Sequence, residues 1–294
     1  MRAVEPSQAG RVASPDGVRI AYEVFGAGEP TIVFLPSTPI IHSRQWKGQV
    51  PYLSRRHRVV TYDGRGNGAS DRPVDPAAYT DARLVGDLEL VLDTTGTERA
   101  VLVGLCTDGV WRAILFAAAH PERVLGIVAF GVGVPLITPP HPHRVAWSQT
   151  DPLPTDEGWA KVNIHHWRRD YPDFAQFFFS ELLPEPHSTK HLEDAVGWAV
   201  EGSVEAMVAD ALAPSDLDTA QVEATCRAVR CPVLVVKGTD DRCQPVDRAE
   251  RLADLIGAPL VLVEGAGHLV PAREPVLANL LIRDFIRSLP EGAP

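Results

Sequence analysis

The stretch Val101-Leu102-Val103-Gly104-Leu105-Cys106-Thr107-Asp108-Gly109 decides how the chain is interpreted. An apolar run ends at a glycine, a thiol follows two residues later, and a helical pattern begins at Val110. A strand that runs directly into a helix forces a sharp turn, and the side chain at its apex projects above the end of the sheet. The sequence therefore predicts that Cys106 stands at this apex, in the position of a nucleophile.

Strand-like and helix-like patterns alternate on both sides of this turn. Continuous apolar, β-branched runs recur at 31–35, 58–62, 124–130, 232–236 and 260–263, with amphipathic helical patterns between several of them. Uninterrupted apolar runs fill strands that are covered on both faces, and their alternation with helices is typical of a parallel sheet. We predict an α/β fold with a mostly parallel sheet and helices on both faces, preceded by a hairpin that turns at Asp16-Gly17.

The pattern changes between residues 133 and 229. A proline-rich stretch is followed by helices with breaks and by clustered aromatic residues. We predict that residues 1–132 and 230–294 form the α/β core and that 133–229 form a helical cap, or lid, inserted into it. The simplest interpretation of the aromatic residues is core packing among the cap helices. Trp167 and Phe178 are also assigned to the wall of an acyl pocket over Cys106, because such pockets are mostly apolar.

Composition excludes several classes of function. The formal net charge of −10 and a pI near 5.5 argue against a nucleic-acid partner. No apolar stretch approaches the ~20 residues of a membrane span, and the N-terminus lacks the apolar core of a signal peptide, so we expect a cytoplasmic protein. We interpret Cys226, Cys231 and Cys243 as small buried hydrophobic residues, and we predict no metal and no cofactor.

Two later loops supply the partners that a thiol nucleophile needs. A thiol reacts as the thiolate, a nearby imidazole draws off its proton, and a third group orients the imidazole. Asp240 and Asp241 follow the strand that ends at Lys237, and His268 follows the strand that ends at Val263. Because parallel strands end at the same edge of a sheet, we expect Cys106, an aspartate and His268 to meet there.

The chain resembles the α/β-hydrolase-fold superfamily over nearly its whole length. The resemblance implies an eight-stranded sheet, a helical cap and a catalytic triad of Cys106, His268 and Asp241, since the family's G-x-x-D-x-x-x-P spacing selects Asp241 over Asp240. Four segments match family motifs: D-x-R-G-x-G-x-S at 63–70, H-P-E-R-V at 120–124, the acid loop at 232–245 and the histidine loop at 265–275.

Cys106 departs from the serine that is usual in this superfamily. A cysteine there resembles dienelactone hydrolases, polyhydroxyalkanoate synthases and some biosynthetic thioesterases, which implies an acyl-thioester on the enzyme. Exchange between thioesters is nearly balanced in energy, so transfer to an alcohol or amine suits this nucleophile as well as hydrolysis. We predict acyl transfer from a small-molecule or carrier-bound substrate; the alternatives are a dienelactone-type lactone or ester hydrolase and a non-catalytic ligand-binding protein.

The surroundings of the turn also depart from the family pattern. Pro36-Ser37 replaces the usual His-Gly after the strand at 31–35, and Asp108 replaces a glycine. By position, the backbone N–H groups of Thr107 and Thr38 form the oxyanion hole. Ser37 and Asp108 are assigned to the substrate pocket, although Asp108 also suits the first turn of a helix, where a negative charge is stabilised.

Overall fold

The computed structural model describes residues 4–139, 141–142, 144, 148–215 and 217–290 of the 294-residue chain. Eight strands in these residues form one sheet. The strands are β1 (Gln8–Ala13), β2 (Arg19–Phe25), β3 (Thr31–Phe34), β4 (Val59–Tyr62), β5 (Ala100–Leu105), β6 (Val124–Phe130), β7 (Val233–Gly238) and β8 (Leu260–Val263).

The sheet has the order β1-β2-β4-β3-β5-β6-β7-β8. The predicted hairpin at its edge is confirmed, with β1 and β2 antiparallel, and β2 also pairs antiparallel with β4. All later pairings are parallel. The predicted α/β class is therefore confirmed, and β5, which ends at the nucleophile turn, lies in the interior of the sheet.

The apolar runs form strands because both faces of the sheet are covered. In β3, Ile32 and Phe34 pack into one hydrophobic cluster and Val33 packs into another on the opposite face. The same alternation divides Val101 and Val103 of β5 from Leu102. Two buried faces select β-branched and large apolar residues at every position, and this produces the continuous pattern seen in the sequence.

Eleven α-helices lie in the described residues, and none of them combines the length and the apolar character needed to cross a membrane. Five of them follow β6 and precede β7. The helices are α1 (Val50–Leu53), α2 (Asp81–Thr94), α3 (Cys106–Ala119), α4 (Ile164–Arg169), α5 (Tyr171–Leu182), α6 (Thr189–Val200), α7 (Val204–Ala211), α8 (Thr219–Ala228), α9 (Val246–Ile256), α10 (Val270–Arg273) and α11 (Pro275–Ser288).

The segment between β3 and β4 forms a 3-10 turn at Ser43–Trp46 followed by the short α1. Pro51 lacks the N–H that a helix interior requires, and it is tolerated only in the first turn of α1. The helix expected from Val110 begins four residues earlier, at Cys106 itself.

Candidate active site

The turn between β5 and α3 places Cys106 at its apex. Cys106 has φ = 62°, which is in the left-handed region that a non-glycine residue occupies at a cost of about 1–3 kcal/mol. A side chain at Gly104 would put its Cβ 2.4 Å from the carbonyl oxygen of Gly109. Gly104 and Gly109 thus let the strand and helix approach closely.

The loops after β7 and β8 bring Asp241 and His268 together. Nδ1 of His268 lies 2.7 Å from Oδ2 of Asp241, and both side chains are buried. The other oxygen, Oδ1, accepts hydrogen bonds from the backbone N–H groups of Cys243 (2.8 Å) and Gln244 (2.9 Å). This geometry fixes the carboxylate, and it directs Nε2 of the imidazole away from Asp241.

The third member of the predicted triad joins them. Sγ of Cys106, a ring nitrogen of His268 and Sγ of Cys243 all lie within 4.8 Å of one another. Since Nδ1 faces Asp241, the nitrogen that faces the thiols is Nε2, which has no hydrogen-bond partner among the described residues. The structure therefore brings Cys106, His268 and Asp241 into one constellation, with Nε2 available to exchange a proton with the thiol.

The charges of this constellation favour a thiolate–imidazolium pair. A hydrogen bond from Cys243 and the charge of His268 hold the pKa of Cys106 well below its ordinary value, although burial raises it. Burial lowers the pKa of His268, but the charges of Asp241 and Cys106 outweigh burial and raise this pKa to about 10. Each group thus stabilises the charged form of the other.

Two hydrogen bonds connect the histidine loop to the segment between β6 and β7. The backbone N–H of His268 donates to the carbonyl oxygen of Leu182, at the end of α5, over 3.0 Å. The N–H of Gly267 donates to the carboxylate of Glu185 over 2.6 Å. Helices that are remote from β8 in sequence therefore orient the imidazole.

Lys237 is a member of the site that we did not predict. Its side chain is fully buried, and Nζ donates to Oδ2 of Asp241 and, over 2.6 Å, to the carbonyl oxygen of Gln244. The same carboxylate oxygen therefore serves both Lys237 and His268. The signal in the sequence was a lysine at the end of the apolar run V-L-V-V-K, where a charged residue requires a buried partner.

Cys243 is buried as predicted, but its position was not foreseen. It is 4% exposed and follows Asp241 by two residues, which places its sulfur beside that of Cys106. Two thiols and an imidazole are also donor types that soft metal ions favour. The expectation of no metal therefore stays a prediction at this site.

The two segments assigned to the oxyanion hole flank the turn. The amide of Thr107 belongs to the first residue after Cys106, and a Cβ on Gly133 would lie 2.6 Å from its nitrogen. A Cβ on Gly109 would lie 3.3 Å from the carbonyl oxygen of Pro36, so the loop that carries Thr38 passes close to the turn. Their role as donors remains a prediction.

Asp108 and Ser37 line a cavity of about 30 Å³ together with Arg112 and Asp210. This is roughly the volume of one water molecule. The Asp108 carboxylate is bonded to the guanidinium of Arg112, one turn further along α3, and Arg112 also pairs with Asp81 at 3.3 Å. These contacts support the interpretation of Asp108 as an acid in the first turn of a helix.

A larger apolar cavity of about 120 Å³ lies between α6 and the core. It is lined by Leu105 and Leu269, the chain neighbours of Cys106 and His268. Leu183, Ala195 and Trp198, from the segment between β6 and β7, complete the apolar lining. We did not predict it from the sequence, although the positions of Leu105 and Leu269 beside two triad members were an available signal.

Trp167 and Phe178 are not among the residues that line these two cavities. Trp167 is 1% exposed and packs on Phe174 at a ring-centroid distance of 5.1 Å. Phe178 packs edge-on to Trp159 at 6.3 Å and at an angle to Phe174 at 5.5 Å. Both residues thus contribute to packing among the helices between β6 and β7, and their assignment to a pocket wall stays a prediction.

Comparison with known proteins identifies the family of this chain. Residues 30–275 match the family described as the alpha/beta hydrolase fold. The 2-hydroxy-6-oxo-2,4-heptadienoate hydrolase of Pseudomonas putida is 29% identical over 290 residues, which cover 95% of this chain and 97% of that protein. The 2-hydroxymuconate semialdehyde hydrolase of a Pseudomonas species is 28% identical over 280 residues, covering 94% and 93% respectively.

A solved structure shows the same fold. An esterase from Exiguobacterium antarcticum superposes with a TM-score of 0.81 at 21% identity, covering 96% of this chain and 100% of the esterase. The chain therefore belongs to the α/β-hydrolase-fold family, as its motifs predicted, and it is an α/β-hydrolase enzyme.

Proposed function

We propose that this enzyme cleaves an ester, thioester, lactone or activated C–C bond through an acyl-thioester on Cys106, with His268 as acid and base and Asp241 as its orienting partner. The observation that carries the proposal is the buried His268–Asp241 contact of 2.7 Å with the Cys106 sulfur on the far side of the imidazole. The related hydrolases named above favour water as the acceptor. An alcohol or amine acceptor remains the alternative for the same intermediate.

The first half of the reaction forms the thioester. The Cys106 thiolate attacks the acyl carbon, and the electron pair of the C=O bond moves onto oxygen. The N–H groups of Thr107 and Thr38 are proposed to bind this oxyanion. When the oxyanion collapses, the bond to the leaving group breaks, and Nε2–H of His268 protonates the departing group.

The second half regenerates the thiolate. Once Cys106 is acylated it carries no charge, and one of the causes that raise the pKa of His268 disappears. The neutral imidazole then removes a proton from water or another acceptor, which attacks the thioester carbon, and the C–S bond breaks. Asp241 stabilises the imidazolium formed in this step.

We assign substrate binding to the space under the cap, residues 133–229. The 120 Å³ cavity has mostly apolar walls and begins at Leu105 and Leu269, so it suits the acyl part of a small-molecule or carrier-bound substrate. The formal net charge of −10 continues to argue against a nucleic-acid partner.

A covalent adduct tests the proposal directly. Incubation with a series of acyl-thioesters and aryl esters is expected to add the acyl mass to the wild-type chain, as measured by intact mass spectrometry. Cys106→Ala is expected to form no adduct, because it lacks the attacking sulfur. Cys231→Ala, which removes a half-buried thiol elsewhere, is the matched control and is expected to behave like the wild type.

Two results would contradict covalent catalysis by Cys106. One is turnover of an acyl donor by Cys106→Ala at the wild-type rate, and the other is the absence of both adduct and turnover across the series. Product analysis with and without an added alcohol or amine then separates hydrolysis from transfer.

Replacement of Gly133 by alanine is expected to lower kcat by about 10²–10³-fold, the typical cost of losing one oxyanion donor. The new Cβ would lie 2.6 Å from the Thr107 nitrogen and 2.4 Å from its Oγ1, so it displaces or covers the proposed donor. The measurement is kcat on the acyl donor identified above, together with thermal unfolding.

Gly197→Ala is the matched control for this prediction. Gly197 lies in α6, and no atom lies within 4 Å of the position that its Cβ would take. Alanine there is expected to keep activity and to add about 0.5–1 kcal/mol of stability. Full activity of Gly133→Ala would exclude the Thr107 amide as an essential donor.

A further inference from the structure

The acyl mechanism leaves one reactive group of the site unused. Sγ of Cys243 lies within 4.8 Å of Sγ of Cys106, whereas the other two thiols lie elsewhere, with Cys226 in α8 and Cys231 just before β7. Packing alone does not require that a buried cysteine lie next to a second cysteine. Two sulfurs beside one imidazole can be oxidised to a disulfide.

We propose that Cys106 and Cys243 are a redox pair, in which a small hydroperoxide oxidises Cys106 and Cys243 then closes a reversible disulfide across the active site. The disulfide removes the nucleophile from reaction and protects it from irreversible oxidation. This inference rests on the pair of sulfurs and not on acyl transfer, so a protein that forms no acyl adduct is still expected to form the disulfide.

The two sulfurs differ in solvent exposure, and this difference decides which of them is oxidised first. Cys106 is half-buried at the apex of the turn, whereas Cys243 is 4% exposed. A hydroperoxide therefore meets Cys106 first, and Cys243 acts as the resolving thiol. The hydrogen bond from Cys243 and the charge of His268 lower the pKa of Cys106 and so favour the thiolate form that peroxides attack. Burial makes Cys226 and Cys231 poor competitors by raising the pKa of each.

The chemistry balances in two steps. The Cys106 thiolate attacks the terminal oxygen of the hydroperoxide, the S–O bond forms, the O–O bond breaks, and the departing alkoxide takes a proton from His268. Sulfur is oxidised by two electrons and the peroxide is reduced to an alcohol, or to water when it is hydrogen peroxide. Cys243 then attacks the sulfenic sulfur, the S–S bond forms, and water leaves with the Cys243 proton.

The geometry requires a modest movement. A disulfide has a sulfur–sulfur distance of about 2.05 Å, so sulfurs within 4.8 Å approach by less than about 2.8 Å. Hydrogen bonding to the Cys106 thiolate raises the pKa of Cys243 in the reduced protein. Conversion of Cys106 to the uncharged sulfenic acid removes this cause, so Cys243 becomes a better nucleophile at the moment when it is needed.

The test treats the full chain with an equimolar amount of hydrogen peroxide in the presence of a chelator, then blocks free thiols with N-ethylmaleimide. Before blocking, the wild type is expected to have lost the mass of two hydrogens. After blocking, it is expected to yield a cross-linked peptide that contains Cys106 and Cys243. Labelling of Cys106 by iodoacetamide is expected to be lost and to return fully after dithiothreitol. Cys231→Ser is the matched control and is expected to give the same cross-link.

Cys243→Ser is expected to interrupt the sequence at the sulfenic acid. This variant accumulates a dimedone-reactive Cys106 and then the sulfinic acid, which dithiothreitol does not reverse. Far-UV circular dichroism and iodoacetamide labelling before oxidation establish that it is folded. The proposal is overturned if wild type and Cys243→Ser reach the sulfinic acid at the same rate, if no Cys106–Cys243 peptide forms, or if other cysteines cross-link instead.

Discussion

Replacing Asp241 with asparagine is expected to lower kcat by about 10⁴-fold, the loss seen when the orienting carboxylate of other triads is replaced in this way. The neutral side-chain amide introduced by Asp241→Asn does not stabilise the imidazolium as the carboxylate does. It presents to Nδ1 of His268 either an N–H donor or a carbonyl acceptor. The pKa of His268 falls as a result, since the charge of Asp241 helps to raise it to about 10. Steady-state kinetics on the identified acyl donor measure the loss.

The same substitution is also expected to destabilise the fold by about 3–5 kcal/mol, because it leaves Lys237 charged and buried without its carboxylate. Urea unfolding measures this cost. The double variant Lys237→Met with Asp241→Asn is the matched control, and it is expected to regain much of the stability while kcat stays low. Activity of Asp241→Asn near the wild-type level would contradict the assigned role, and a double variant no more stable than the single one would contradict the importance of the buried pair.

Alkylation of Cys106 by iodoacetamide is expected to continue at pH values where an ordinary thiol has nearly stopped reacting. The sign follows from the lowered pKa of Cys106: the reactive thiolate is present above that pKa and is lost only as the pH falls through it. An ordinary thiol, with a pKa of about 8.5, loses about tenfold in rate for each pH unit below this value. Between about pH 8 and 6, the Cys106 rate is therefore expected to fall less steeply with decreasing pH than the rate of an ordinary thiol.

The chain supplies its own reference thiols for this measurement. Burial raises the pKa of Cys226 to about 12 and that of Cys231 to about 11, so both are expected to react slowly throughout this range. Peptide mapping after timed alkylation follows each cysteine separately. His268→Asn removes the neighbouring positive charge and is expected to shift the pH dependence of Cys106 toward that of an ordinary thiol, while the hydrogen bond from Cys243 remains. A midpoint near pH 8.5 in the wild type would show that His268 does not activate this thiol.

Local patterns in the chain were sufficient for the fold and for the order of the proposed triad. Continuous apolar runs, typical of strands covered on both faces, predicted the strands. The end of one such run between Leu105 and Thr107, directly before a helical pattern, predicted the turn. The resemblance to the family's acid-loop motif implied Asp241, whose contact with His268 the structure then displays. These features can be predicted from the sequence because each depends on residues close together in the chain, or on strands that end at one edge of a parallel sheet.

Contacts between distant segments were decided only by the tertiary structure. The loop paths bring Cys243 beside Cys106, Lys237 onto the Asp241 carboxylate and Gly133 against the Thr107 amide. Packing of α6 on the core creates the apolar cavity. No periodic pattern in the sequence predicts these contacts, because they depend on the paths of the loops and on how side chains fill the space between helices and strands. The sequence thus determined the fold and the order of the predicted triad, whereas packing decided the second thiol, the buried lysine and the cavity.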